Sequence, residues 1–280
     1  MATCYRNIAT LVSPAEAIGE LTVITDAAMV VDDGQVTWLG KDLDAPACET
    51  EVDLTGKTVI PGFVDSHSHL VFGGERSEEF ASRMAGKKYE AGGINSTVSA
   101  TRSATAEELR ANTAGLVQEL YASGITTFEI KSGYGLDTET EKLSLEIASE
   151  FTEEVTFLGA HVVPAGSESD DYTDLVAGKM LESITAKWVD VFCDTGAFSV
   201  VQARKVLTAG IAAGLKPRMH ANQLSNIGAI ALAVELDCAS VDHCTFLDDA
   251  DIELLKNSNT VATLLPGAEF STRSPYPQGG

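Results

Sequence analysis

The sequence predicts an α/β protein, organised as a TIM-like (β/α)8 barrel with a small β-subdomain at its N-terminus. From residue 58 onward, short runs rich in β-branched residues alternate with longer segments of helical pattern. Before residue 58 there are only strand and turn signals, and that length is too short for an independent core. We therefore divide the chain into a subdomain over residues 1–57, incomplete by itself, and a barrel over residues 58–280.

The N-terminal region is predicted to contain short strands joined by tight turns. Its strand signals are Val23–Thr25, Ala28–Val31 and Val36–Leu39. Asp32-Asp33-Gly34 separates the last two and is typical of a hairpin turn. A further turn is predicted at Asp53–Gly56.

Seven segments of the barrel region have the composition of buried strands. They are Thr58–His67, Thr126–Ser132, Val155–Val163, Trp188–Cys193, Lys216–Ala221, Ala239–His243 and Val261–Leu265. A closed barrel of this type has eight strands and takes about 250 residues. Since the sequence stops soon after the seventh segment, we expect a C-terminal truncation that removes strand eight and the returning part of the subdomain.

Helix signals lie between most of these strands. Three capping boxes mark helix starts, at Thr105-x-x-Glu108, Thr138-x-x-Glu141 and Ser199-x-x-Gln202. Gly124 and Gly214 are typical of helix C-termini. An open doubly wound sheet is the alternative architecture, but it usually carries a glycine-rich phosphate loop, and neither G-x-G-x-x-G nor G-x-x-x-x-G-K-[ST] occurs.

Composition excludes several classes of partner. The chain has 41 Asp+Glu against 19 Lys+Arg and a formal net charge of −22, which argues against nucleic acid and anionic membranes. No apolar run approaches the ~18 residues of a membrane span, and the N-terminus lacks a signal-peptide core. Five cysteines without a C-x-x-C motif favour free thiols. We expect a cytoplasmic protein, and a homodimer is compatible with the sequence.

All five histidines lie at or just beyond the C-terminal end of a strand candidate. They are His67, His69, His161, His220 and His243. In a β/α barrel these ends form the active-site face. Residues i and i+2 of a strand point to the same side, so His67 and His69 converge as a metal ion requires, with His220 as a candidate third ligand. Three imidazoles and an open position suit a catalytic metal, and the affinity order does not choose between Zn²⁺ and Fe.

Six segments of the chain resemble the imidazolonepropionases of the amidohydrolase superfamily. They are PGFVDSHSHLVFGGERSEEF, EIKSGYGLD, TFLGAHVVP, HANQLSNIGA, SVDHCTFLD and VATLLPGAEF, spread over residues 58–270. The first segment alone indicates only the superfamily. The resemblance implies a hydrolase that converts 4-imidazolone-5-propanoate to N-formimino-L-glutamate in histidine degradation, with one Zn²⁺ or Fe ion per subunit.

The resemblance assigns roles to eight residues. His67, His69 and His220 match the metal ligands. Arg76 matches the residue that binds the propanoate carboxylate, a task suited to a bidentate guanidinium. Without the resemblance, an ion pair of Arg76 with a neighbouring glutamate is the simpler interpretation.

The other four matched positions surround the substrate. Tyr134 and His161 match substrate-binding residues. Gln223 matches a position held by Gln or Glu, with substrate-binding and catalytic roles, but an amide can orient a group and cannot take its proton. His243 matches a histidine that stabilises the oxyanion or moves a proton.

One family feature has no counterpart in these residues. The resemblance implies a fourth ligand, an Asp at the end of strand eight that accepts the proton of the attacking water, and no Asp here matches it. We therefore expect residues 1–280 alone to be inactive. Trp188–Asp194 has no Lys at its C-terminal end, which favours one metal ion over two. The alternatives are another cyclic amide or amidine hydrolase of the superfamily, or an inactive metal-binding fragment.

Overall fold

The chain forms two units, Met1–Phe63 and Val64–Gly280. They are seen in a computed structural model that describes residues 1–15, 17, 19–86 and 93–277. The units divide close to residue 57, where the sequence predicts a domain boundary, and that boundary stays a prediction.

The first unit contains a five-stranded sheet in the order β3-β2-β1-β4, with β5 also paired to β1. The strands are β1 (Thr3–Pro14), β2 (Leu21–Asp32), β3 (Gln35–Lys41), β4 (Thr50–Asp53) and β5 (Thr58–Val59). The predicted hairpin turn joins β2 to β3, with positive φ angles of 48° at Asp33 and 73° at Gly34.

The sequence analysis missed β1 and divided β2 into two strands. The register of β1 against β2 shifts between Tyr5 and Ile8, and Asn7 has a φ of 56°. This bulge interrupts the alternation of buried and exposed residues that marks a strand. Cys4, Ile8 and Leu11 are buried, a spacing that does not follow a period of two.

The second unit contains a curled parallel sheet in the order β14-β13-β12-β10-β9-β8, with β11 paired to β10. Strands β6 and β7 form a separate two-stranded sheet. Helices lie between successive strands, so the predicted α/β barrel class is confirmed. The strands are β6 (Phe63–Asp65), β7 (Ile125–Phe128), β8 (Ile130–Lys131), β9 (Val155–Ala160), β10 (Trp188–Cys193), β11 (Lys216–Pro217), β12 (Met219–Ala221), β13 (Ser240–His243) and β14 (Val261–Leu264).

The predicted first barrel strand, Thr58–His67, is wrong as a single element. Thr58–Val59 pairs with β1 of the small sheet, whereas Phe63–Asp65 pairs with β7. Pro61 and Gly62 separate the two pieces. Proline has no N–H to donate to a ladder, which explains why the strand is interrupted there.

Nine α-helices lie in the part of the chain that the structure describes. They are α1 (Ser77–Met84), α2 (Gly93–Ser103), α3 (Ala106–Ala122), α4 (Thr138–Ser149), α5 (Ser169–Leu175), α6 (Val200–Ala212), α7 (Ala229–Glu235), α8 (Asp249–Lys256) and α9 (Pro266–Thr272). Val176–Met180 continues α5 as a π-helical segment. Within these described residues, no helix combines the length and apolarity needed to cross a membrane.

Two of the three predicted capping boxes are present, at Thr105 for α3 and at Ser199 for α6. The third is wrong. Asp137 caps α4 by accepting a hydrogen bond from Thr140 N, so α4 begins at Thr138. Glu141 turns away from the helix end and binds the preceding loop, because that loop offers it three backbone donors.

The barrel core brings helix α6 very close to strand β10. A Cβ added to Gly210 of α6 would lie 2.5 Å from Val189 Cγ1 and 2.8 Å from Val189 Cβ. Val189 is fully buried and the strand around it is fixed on both sides by ladder pairing. Only a glycine at this helix position allows the observed separation.

We expect Gly210→Ala to lower the free energy of unfolding by about 1–3 kcal/mol, because it overpacks this contact. Gly115→Ala is the matched control. Gly115 also lies inside a helix, α3, but an added Cβ there meets nothing within 4 Å. In that variant the free energy of unfolding should rise by about 0.5–1 kcal/mol, because alanine has a higher helix propensity than glycine. Urea unfolding of both variants checks the pair, and equal stabilisation of both would contradict the packing argument.

Candidate active site

All eight residues predicted for the site line one pocket of about 470 Å³. It opens where the barrel strands end, and residues 264–268 close one side. The predicted residues are His67, His69, Arg76, Tyr134, His161, His220, Gln223 and His243. The structure thus brings together side chains that are up to 176 positions apart in the sequence, while their individual roles stay predictions.

The histidine rings form a tight cluster at the floor of this pocket. The ring centroids of His67 and His220 are 4.5 Å apart, and that of His243 lies 5.2 Å from His67 and 5.4 Å from His220. One ring nitrogen of each of these three lies within 4.8 Å of the others. His69 is adjacent but outside that group, with its centroid 5.2 Å from His67 and 5.5 Å from His220.

Burial favours the neutral form of His67, His69, His161 and His220. Burial, with the charge of His220 as a second cause, lowers the pKa of His67 to about 3. Burial lowers the pKa of His161 to about 4, and it also places the pKa values of His69 and His220 below the ordinary value. A neutral imidazole keeps a lone pair on one nitrogen, which is the form that ligates a metal ion.

The donor set fits a divalent metal ion. The Nδ1 atoms of His69 and His243 are buried and make no hydrogen bond within the described part of the chain. Buried polar atoms are rarely left without a partner, and clustered imidazole nitrogens are the ligands that Zn²⁺ and Fe accept. His67 is oriented for this task, because its Nδ1 lies 2.7 Å from Asp242 Oδ2 and its Nε2 is therefore directed elsewhere.

A buried charge cluster lies beside the histidines. Lys131 is fully buried, with its Nζ 2.7 Å from Asp190 Oδ2, 3.2 Å from Asp242 Oδ2 and 3.1 Å from Glu129 Oε2. Burial acts to lower the pKa of Lys131, but the charges of Asp190, Asp242 and Glu129 outweigh it and keep the pKa above the ordinary value. The sequence analysis did not assign these carboxylates. The signal was present at Asp190, a charged residue inside the otherwise apolar strand Trp188–Cys193.

Arg76 is ion-paired with its neighbour Glu79. Its Nε and Nη2 donate to the two oxygens of Glu79, at 2.7 and 2.9 Å, and Arg83 also donates to Glu79. The simpler interpretation of Arg76 is therefore found in the structure. Arg76 nevertheless lines the pocket, so the ion pair holds a guanidinium at its edge.

Tyr134 lies on a loop that the Glu141 carboxylate fixes. Glu141 is fully buried, and it accepts hydrogen bonds from the backbone N–H groups of Gly135 and Leu136, both at 2.8 Å, and of Gly133, at 3.1 Å. His161 Nδ1 donates to the Gly133 carbonyl at 2.9 Å. The Tyr134 and His161 rings, 5.4 Å apart, form one wall of the pocket.

Gln223 lies on a loop held from both sides. Asp194 accepts a hydrogen bond from Leu224 N at 2.8 Å, and Asp251 accepts one from the side chain of Asn222 at 3.1 Å. Asn222 has a φ of 52°, a conformation that asparagine tolerates better than most residues. Both carboxylates are buried, so the position of Gln223 is set by the protein interior.

His243 faces a second buried carboxylate that the sequence analysis missed. Glu269 of α9 is 1% exposed, and its Oε1 lies 3.5 Å from His243 Nδ1 and accepts a hydrogen bond from Thr245 Oγ1 at 3.0 Å. His243 itself has a φ of 78°, which is rare for a residue other than glycine. The Glu269 signal was weak, because a single acid in a helix is usually exposed.

Two relatives with similar sequences have the same name. "Imidazolonepropionase" from Mycolicibacterium smegmatis is 56% identical over 279 residues, covering 98% of this chain and 70% of the relative. "Imidazolonepropionase" from Streptomyces coelicolor is 54% identical, covering 98% of this chain and 72% of the relative. The chain belongs to the imidazolonepropionase family. The Amidohydrolase family profile also matches residues 50–88.

Solved structures with the same fold include other hydrolases. Guanine deaminase from C. acetobutylicum, with bound guanine, has a TM-score of 0.71 at 12% identity and covers 98% of this chain and 70% of its own. A variant of atrazine chlorohydrolase from Arthrobacter aurescens, complexed with zinc and atraton, has a TM-score of 0.66 at 14% identity, covering 98% and 68%. This chain therefore shares its fold with these hydrolases.

We expect Glu141→Gln to destabilise the chain by about 1–3 kcal/mol, because the new amide NH2 group leaves at least one buried backbone N–H without an acceptor. Glu139→Gln is the matched control, since Glu139 lies on the exposed side of the same first turn of α4. Urea unfolding gives the difference in free energy. Equal stability of the two variants would show that the loop does not depend on Glu141.

Proposed function

We propose that the chain hydrolyses the cyclic amide bond of 4-imidazolone-5-propanoate to give N-formimino-L-glutamate in histidine degradation, with one Zn²⁺ or Fe ion. The main support is the convergence of all eight residues of the family pattern on one pocket. The relatives that share more than half of the sequence carry the matching name.

His67, His69 and His220 would hold the metal ion. Their ring centroids lie 4.5–5.5 Å apart, and burial lowers their pKa values, which favours the neutral form that ligates a metal ion. A divalent ion in this position supplies Lewis acidity, which activates water and polarises a carbonyl. His243 completes the cluster, close enough to act on the same reacting atoms.

Arg76 would bind the propanoate carboxylate. It stands at the pocket edge with its guanidinium plane fixed by Glu79, so little side-chain freedom remains to be lost when substrate binds. Tyr134 and His161 would enclose the imidazolone ring from one side, since their rings form a wall next to His69. The carboxylate and the ring then fix the reacting carbonyl over the histidine cluster.

The reaction adds water across the ring amide. The water oxygen bonds to the carbonyl carbon, the ring C–N bond breaks, and a proton of the water goes to the leaving nitrogen. His243 is our candidate for oxyanion stabilisation or proton transfer, because Glu269 lies beside its Nδ1 and leaves Nε2 for the pocket. Gln223 orients the substrate or water through its amide and takes no proton.

Substrate profiling of the metal-loaded complete gene product tests the proposal. We expect 4-imidazolone-5-propanoate to be hydrolysed with the highest kcat/KM, and a chelator to abolish turnover until Zn²⁺ or Fe²⁺ is restored. Hydantoin, dihydroorotate and guanine are the comparison substrates. A higher kcat/KM for any of them would favour another cyclic amide or amidine hydrolase. The chain of residues 1–280 is assayed beside it, since the sequence predicts that it is inactive alone.

Arg76→Met should raise KM for the substrate about 10- to 150-fold, the equivalent of losing about 1.5–3 kcal/mol of charge-assisted hydrogen bonding. The propanamide analogue should distinguish binding from folding effects, because the variant loses its preference for carboxylate over amide. Arg110→Met is the control, as Arg110 pairs with Glu150 on the surface away from the pocket. An unchanged KM in Arg76→Met would refute the assigned role.

A further inference from the structure

The Lys131 ammonium fills a site made of carboxylates. Its Nζ lies within 3.2 Å of oxygens from Asp190, Asp242 and Glu129, and none of these four side chains is more than 2% exposed. One ligand atom each of Asp190, His220 and Asp242 lies within 4.8 Å of the others. The arrangement is of the kind that binds a cation, and here the cation belongs to the chain itself.

Two of these carboxylates reach directly to the proposed metal ligands. Asp242 Oδ2 contacts both Lys131 Nζ, at 3.2 Å, and His67 Nδ1, at 2.7 Å. Asp190 Oδ2 contacts both Lys131 Nζ, at 2.7 Å, and His220 Nδ1, at 3.0 Å, the latter without the in-line geometry of a hydrogen bond. Asp190 Oδ1 also accepts a hydrogen bond from the backbone N–H of His220 at 3.1 Å. Lys131 is thus one contact removed from two different histidines.

The strand order explains this geometry. Lys131 ends β8, Asp190 lies in β10, and His220 and Asp242 are opposite each other in the register of β12 and β13. The lysine stem therefore reaches from β8 to carboxylates on two other strands. Charges buried this deeply are stable only with close partners, so each carboxylate has a fixed position while the ammonium is present.

We infer that Lys131 is a positioning residue of the metal site, holding His67 through Asp242 and His220 through Asp190 so that both rings present Nε2 to the pocket. The His67 Nδ1–H points at Asp242, which fixes the tautomer and ring orientation and makes Nε2 the more basic ligand. Asp190 positions His220 by accepting from its backbone N–H and by lying 3.0 Å from its Nδ1. The inference rests on the ligand set of the proposed function. It adds that the ligand geometry depends on a residue that touches neither metal nor substrate.

A charge-balanced pair of variants tests the inference. Lys131→Met in a Glu129→Gln background removes one positive and one negative charge, and Glu129→Gln alone is the matched control, since Glu129 contacts Lys131 and Arg218 and no histidine. We expect the double variant to bind Co²⁺ about 10- to 100-fold more weakly than the control and to change the visible spectrum of the bound ion. Affinity within twofold of the control, with an unchanged spectrum, would overturn the inference.

A measurement on the unsubstituted chain keeps the test decisive if the double variant does not fold. Histidine ¹⁵N NMR of the metal-free protein distinguishes the two neutral tautomers. We expect His67 to carry its proton on Nδ1, and Zn²⁺ addition to shift the Lys131 Nζ resonance through Asp242. An Nε2–H tautomer of His67, or an unmoved Lys131 resonance, would overturn the inference. Neither readout involves turnover, so a different substrate for the enzyme would leave this result unaffected.

Discussion

The buried ammonium of Lys131 is the interaction on which the site depends. A charge removed from water costs several kcal/mol unless it is closely paired, and three carboxylates in the barrel interior answer that requirement. The same pairing ties strand β8 to β10 and β13, and through Asp242 and Asp190 it reaches His67 and His220. The barrel interior is therefore electrostatically ordered before any ligand enters. Moving one of these strands away from the others would leave a buried charge without a partner. The charge cluster therefore holds the strands in one arrangement.

The loops around the pocket are held by the same physical device. Glu141 collects three backbone donors from the loop of Tyr134, and Asp194 accepts from both the backbone of Leu224 and the hydroxyl of Ser225, next to Gln223. A buried carboxylate suits this task because one side chain can satisfy several N–H groups that a loop cannot pair internally. These two loops are thus irregular in backbone but held in position by buried carboxylates. That combination allows Tyr134 and Gln223 to stand on loops and still line one pocket.

The sequence predicted the parts of the site that follow from local pattern. Placement of histidines at strand ends follows from periodicity, and all five lie in the cluster around the pocket. The contacts that orient them do not follow from any local pattern, because Asp242 is 175 residues from His67 and Asp190 is 59 residues from Lys131. Local pattern also failed where tertiary contacts override it: a bulge displaced the alternation of β1, and Glu141 left its predicted capping role for a loop with more donors. Asp190, a charged residue inside an apolar strand, was the sign of the buried network in the sequence, and its partners can be identified only after the strand order is known.

The net charge of −22 changes how an anionic substrate is recognised. At physiological ionic strength, charges are screened over about 8 Å, so the field of the acidic surface neither attracts nor excludes an anion from deep within a pocket. Recognition must then come from groups at contact distance. Among the described residues that line this pocket, Arg76 is the one with a guanidinium or ammonium group, and Glu79 partly neutralises its charge. A carboxylate that binds there joins a guanidinium already paired with Glu79, so its affinity depends on directed hydrogen bonds more than on net attraction. Selection by direction favours a carboxylate at a fixed distance from the ring, which is the feature that separates the proposed substrate from hydantoin or guanine.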